Sequence, residues 1–229
     1  MKKLLIIPTI LIVIVLIITG ILIINNKNEI NITDATKFKE EYEEFNNKKT
    51  RSGDTYLSLS ISEENIIEYS SVDKILELLE SGTGVIYFGY PECPWCRNIV
   101  PVLLEATEEM GVETIYYYDP SDIRDTKTLN ESGEIVITNE GTNDYKKIVE
   151  KLYDFLTPYT GLNDDSIKRL YVPTVVFVDS GEIIGVHIGT VDSQTNPYIK
   201  LDEEETEELK NIYIEYIAKT YGLVCSEEC

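Results

Sequence analysis

Histidine is almost missing from this chain: His187 is the only one in 229 residues. That excludes His-rich metal sites and most catalysis that pairs a serine or cysteine with histidine. Cysteine occurs four times, too seldom for a scaffold built from disulfides. Positive charge is also scarce, since 20 Lys and Arg face 41 Asp and Glu for a net charge of −21. A surface of that sign repels nucleic acid and anionic headgroups, so neither is an expected partner, and its plain role is solubility. The densest acidic run, Asp202 to Glu208, lacks the loop spacing of a calcium site and suits a solvated first helical turn. No internal repeat and no low-complexity block interrupts the sequence.

One long apolar run is present. Leu4 to Ile24 carries no charge and follows Met1-Lys2-Lys3. About 21 residues at about 1.5 Å each span about 31 Å, which matches a hydrocarbon core of about 30 Å. Signal-peptide cores are shorter, about 7–15 residues, and end at a small-x-small cleavage site that Ile18-Thr19-Gly20-Ile21 does not offer. The expectation is an uncleaved transmembrane anchor over 1–24, with a cleaved leader as the alternative. Lys2 and Lys3 direct the N-terminus to the cytoplasm, leaving the rest of the chain outside a single-pass cell-membrane anchor. All acidic residues follow the run, beginning at Glu29.

The most informative residues are Cys93-Pro94-Trp95-Cys96. They follow the apolar stretch Gly84 to Gly89 and precede an amphipathic run from Arg97 to Met110. A strand, a short loop, two thiols three positions apart and a helix suit thiol–disulfide exchange. The first thiol then lies at a helix N-terminus, whose unpaired N–H groups and dipole favour a thiolate. Glu92 opposes that effect. The second thiol is one turn away, in reach to resolve a mixed disulfide. Zinc sites use the same spacing, so the motif alone is ambiguous.

Elsewhere, 25–54 reads as a spacer and an N-terminal helix, Ala35 to Asn46, capped by Asp34. Alternation from Thr55 to Ile61 predicts a strand, and Ser71 caps a helix over Val72 to Glu80 that Gly82 ends. Strands are expected at Val85–Phe88 and Glu113–Tyr118. Ser132-Gly133 gives a weak hairpin signal, and a helix is expected from Asn143 to Tyr159. Val175–Val178 reads as a buried strand, Asp179-Ser180-Gly181-Glu182 as a hairpin turn into Ile183–Ile188, and Asp202 to Tyr221 as a final helix. His187 falls in that hairpin as a surface or half-buried residue.

The order of these features resembles the thioredoxin family: Cys93-Pro94-Trp95-Cys96 after a strand, Val172-Pro173-Thr174 before a strand, the Ser180-Gly181-Glu182 hairpin, and Gly189 before a last helix. With the anchor, the stretch Phe88 to Asn98 and a long insertion, the chain looks like membrane-tethered thioredoxin-like proteins of Gram-positive bacteria, some of them called bacteriocin transport accessory proteins. The resemblance implies an α/β thioredoxin-like fold over 55–222, a central mixed sheet flanked by helices, with a helical insertion at about 125–168. It implies that Cys93 attacks and that Cys96, more buried, resolves. Pro94 and Trp95 would support the site, and Pro173 would carry a cis bond that frees the Val172 backbone to pair with an extended peptide. Two departures stand out. The family's buried aspartate on the strand before the dithiol corresponds here to Tyr87, and the insertion, placed to cover one side of the site, is far longer than in a minimal member.

The function expected on this basis is a membrane-tethered extracytoplasmic thiol–disulfide oxidoreductase, working on protein thiols and disulfides with a redox partner protein and no cofactor. The tether leans it toward reductase or isomerase rather than oxidant. The alternative is a thioredoxin-fold binding or export accessory protein with a non-catalytic dithiol. The tail 223–229 adds Cys225 and Cys229. A local disulfide, a second redox pair relaying to Cys93–Cys96, and a four-cysteine zinc site all remain readings of that pair, although the predicted site needs no metal.

Overall fold

The run Gly84–Phe88 is buried at every position, and its side chains alternate between two separate cores. Val85 and Tyr87 enter one, Ile86 and Phe88 the other, as the period of two in a strand requires. A strand buried on both faces needs neighbours on both edges and layers above and below. The rest of the chain supplies them.

The computed structural model describes residues 32–223. The apolar run Leu4 to Ile24 and the pair Cys225 and Cys229 lie outside them. Among the described residues no helix is long and apolar enough to cross a membrane. The chain divides into the units Met1–Thr33 and Asp34–Cys229, and the fold is that of the second.

In chain order the elements are helix α1 (Asp34–Glu43), β1 (Ile67–Tyr69), α2 (Val72–Ser81), β2 (Gly84–Phe88), α3 (Pro94–Glu109), β3 (Ile115–Tyr118), β4 (Thr126–Leu129), β5 (Ile135–Asn139), α4 (Asn143–Lys151), β6 (Thr174–Asp179), β7 (Glu182–Ile188) and α5 (Glu203–Thr220). Five strands form one mixed sheet in the order β1-β3-β2-β6-β7. β1 and β2 run parallel to β3, while β6 lies antiparallel to β2 and to β7. One face packs Phe38, Tyr42, Ile99, Leu103, Leu209 and Tyr213 from α1, α3 and α5. The other packs Ile75, Leu78, Tyr145 and Ile148 from α2 and α4. The protein is thus mixed α/β, with a central mixed sheet between helices.

Local chemistry sets the helix starts. Ser71 accepts the Lys74 N–H at the head of α2, and Asp202 and Glu205 form a reciprocal capping box on α5. Between β6 and β7, Ser180 and Gly181 both take positive φ, the requirement of a tight two-residue hairpin turn.

Several expectations need correction. The predicted strand Thr55 to Ile61 does not join the sheet. Its alternation is real, for Ser58 and Ser60 are exposed while Ile61 is buried, but beyond an isolated bridge of Thr55 to Lys49 its backbone bonds to side chains instead of to a strand. The edge strand beside β3 is β1, whose three residues are too few to show a period. The expected helix Ala35 to Asn46 ends at Glu43, and Asp34 accepts the Tyr69 N–H rather than capping. The insertion is not purely helical. It opens with the two-stranded β4–β5 sheet, and its helix stops at Lys151, with a short 3-10 turn over Tyr153–Phe155 replacing the last turns.

Candidate functional site

Both thiols of the Cys-x-x-Cys motif sit at the N-terminus of α3. Cys93 is the N-cap and Pro94 the first helical residue, where its missing N–H costs nothing. The Cys93 sulfur accepts the Cys96 backbone N–H at 3.2 Å, so a terminal donor of the helix is spent on the first sulfur. Two backbone bonds fix the loop: Cys93 N–H to the Tyr90 carbonyl at 3.1 Å, and Arg97 N–H to the Cys93 carbonyl at 3.2 Å.

Across from this turn lies the start of β6. The Val172–Pro173 bond is cis, and the Cys93 thiol donates to the Val172 carbonyl at 3.6 Å. The structure therefore gathers Cys93, Cys96, Pro94, Val172 and Pro173 in one place, while Trp95, Tyr90 and Val172 pack on the core beside the cysteines. Both cysteines are free thiols. Cys96 is fully enclosed and Cys93 is 4% exposed, so the contrast between an open first thiol and a closed second one is small.

Burial dominates the electrostatics of the second thiol. It pushes the Cys96 ionisation well up, and the neighbouring Cys93 adds to that. The nearby polar groups of the Tyr90 backbone and the Tyr87 side chain draw it partly back. A buried thiolate is costly without donors of this kind.

Sequence reasoning missed Arg97, one position after Cys96. Its side chain is 1% exposed. Its guanidinium donates to the carbonyls of Leu57, Tyr42 and Pro91 and to the Asn46 side-chain oxygen, at 2.6–3.3 Å. No carboxylate pairs with it among the described residues. This buried cation fastens α1 and the 57–61 stretch to the helix of the dithiol, and its field favours negative charge nearby. A charge next to a Cys-x-x-Cys motif reads as surface in a sequence, and only the gathered carbonyls reveal its burial.

The insertion leans on the same region. The Arg124 guanidinium lies 5.6 Å from the Tyr90 ring centre, and the Thr160 N–H donates to the Tyr171 hydroxyl, one residue before Val172. His187 is half-buried beside Tyr213, with its Nε2 3.0 Å from the Thr190 carbonyl. A cavity of about 650 Å³ lies between α3, the start of α5 and residues 57–60, and neither cysteine lines it. Among the described residues no group of three or more His, Cys, Asp or Glu gathers as metal ligands would.

No family model and no curated protein matches this chain. The reading of the site therefore rests on its own geometry.

Proposed function

We propose that the chain is a thiol–disulfide oxidoreductase of thioredoxin-like fold, exchanging disulfides with protein clients through Cys93 and Cys96. The observation that carries this is the pairing of the Cys96 N–H with the Cys93 sulfur at a proline-started helix N-terminus, directly opposite the cis Val172–Pro173 step. The strand order β1-β3-β2-β6-β7 is compatible with that fold.

In the proposed cycle the Cys93 thiolate attacks a client disulfide. The client S–S bond breaks, a Cys93–client bond forms, and one client sulfur leaves as a thiolate. Cys96 then attacks the Cys93 sulfur, closing Cys93–Cys96 and releasing the second client sulfur. The client is reduced and the dithiol oxidised, and a redox partner protein reverses that change. The tether implied by Leu4 to Ile24 would hold this chemistry outside a membrane, where disulfides persist.

A second reading is favoured by the 4% exposure of Cys93, namely a binding or export accessory protein whose dithiol does no chemistry. Insulin reduction and refolding of scrambled ribonuclease separate the two. Cys93→Ser should abolish both activities, and activity that survives the substitution overturns the redox reading.

A further inference from the structure

Leu57 to Ile61 alternates as a strand does, yet only one of its two edges is in use. Asn46 pairs with both the N–H and the carbonyl of Leu59. Glu43 accepts the Ile61 N–H, Lys39 donates to the Ile61 carbonyl, and Arg97 donates to that of Leu57. In such a chain alternate residues direct their backbone groups to opposite edges. Ser58 and Ser60 therefore face the other way, and their N–H and C=O groups make no hydrogen bond among the described residues. Both residues are exposed. An open edge of this kind is a template for another extended chain.

A groove runs along that edge. The cavity of about 650 Å³ is lined by Ser58 and Ser60, and a second of about 540 Å³ continues from it, sharing Ser60, Pro101 and Glu105. The opposite wall is α3, which from Arg97 to Glu108 is about 17 Å long, the length of about five extended residues. Leu59, Pro101, Val102, Leu104 and Leu201 give the groove apolar surface. Its rim is acidic. Glu105 is held by Lys210 and Asp202 caps α5, but Glu64, Glu108, Glu203 and Glu207 make no ion pair among the described residues. Against them the lining sets one unpaired cation, Lys200, since Arg97 is spent on carbonyls and Asn46.

We infer that this groove docks an extended basic segment of a partner protein, which adds as a strand to the Ser58–Ser60 edge. Lys or Arg at alternate positions would meet the free carboxylates, and the apolar residues between them would lie on Pro101 and Leu104. The charge rejects the nearer occupants. The tail 224–229 carries Glu227, Glu228 and no cation, and a second copy brings a net charge of −21. The groove starts at Arg97, beside the dithiol turn, but the docking is independent of what the dithiol does.

The probe is fluorescein-labelled acetyl-Lys-Val-Lys-Val-Lys-Val-Lys-amide, added to the full chain in a neutral detergent. It holds no cysteine, so binding is read apart from any thiol chemistry. Anisotropy should show saturable binding that weakens as salt rises, and none by a Glu-Val peptide of the same length. Glu203→Gln with Glu207→Gln should weaken binding by about five-fold, as loss of two exposed ion pairs would, without shifting the thermal midpoint. Where that variant does not unfold cooperatively, Glu64→Gln with Glu108→Gln replaces it. Amide exchange read by NMR separates strand addition from attraction alone. At saturating peptide the Ser58 and Ser60 amides should slow by about ten-fold or more, while the Leu59 amide, already held by Asn46, should keep its rate. Absence of saturable binding, equal binding of the acidic peptide, unchanged affinity in the glutamine variant, or binding that leaves Ser58 and Ser60 exchanging as before each overturns the inference.

Discussion

Gly89 leaves open the space that the tip of Tyr87 fills. A β-carbon at position 89 would lie 2.2 Å from the Tyr87 hydroxyl oxygen and 2.4 Å from the ring carbon that bears it. The glycine just past β2 is therefore required by a side chain two residues earlier, on the strand that leads into the dithiol loop.

Gly89→Ala should force the Tyr87 ring aside, at the ~1–3 kcal/mol typical of overpacking a tight core. Urea unfolding measures the loss. In a double-mutant cycle with Tyr87→Leu, which empties the contested space, the two changes should be non-additive by at least ~0.5 kcal/mol. Additive costs would show that the clash is not the cause.

Arg97→Met should be among the most damaging single changes in the chain. It removes the donor shared by the carbonyls of Leu57, Tyr42 and Pro91; those of Leu57 and Pro91 are left unpaired at about 1–3 kcal/mol each when buried, while Tyr42 keeps the Phe45 N–H. A loss of ~3–5 kcal/mol is expected from the urea midpoint at constant slope. Arg97→Lys keeps the charge but loses the planar fork, and should recover less than half of that loss.

Cys96 predicts how reduced and oxidised protein differ with pH. Burial raises its ionisation above the ordinary value of 9.0, so the folded state favours the neutral thiol. The resulting stability is fully present below about pH 9 and declines as pH rises beyond it toward the folded-state value. The thermal midpoint of the reduced protein should fall faster between pH 8.5 and 10 than that of Cys96→Ala, and the oxidised form should behave like the variant. Parallel curves for all three would contradict the assignment.

His187 acts at the other end of the scale. Burial lowers its ionisation below the ordinary 6.5, against smaller opposing effects from the Thr190 carbonyl and Asp192. The unfolded chain therefore takes up a proton first as pH falls, and stability declines from about pH 6.5 downward to the folded-state value. His187→Gln should flatten that part of the profile, read as thermal midpoint from pH 7 to 5.

Strong local signals made part of this molecule legible. The apolar run at β2, the Ser180-Gly181 turn with its flanking strands, and the capped helices α2 and α5 all stand in the sequence because each is stabilised by neighbours in the chain. The cysteine pair and Pro173 were legible as residues, and the fold brought them together. What stayed hidden depended on distant partners. Leu57 to Ile61 alternates like a strand but finds Arg97, Asn46 and Glu43 instead of a ladder. Tyr87 looked like a vacancy where an acid was expected, because its meaning lies in Tyr42, 45 residues earlier.

The bonds of Arg97 also determine what can loosen independently. The first turn of α3 holds both sulfurs, and its arginine is satisfied only while residues 42, 46 and 57 are docked. Undocking the N-terminal arm would leave a cation stranded in the interior, so the arm and the dithiol turn should open as one cooperative unit. In native-state hydrogen exchange, the Cys96 and Arg97 amides should then share the opening free energy of the Leu59 amide, some 40 residues away in sequence.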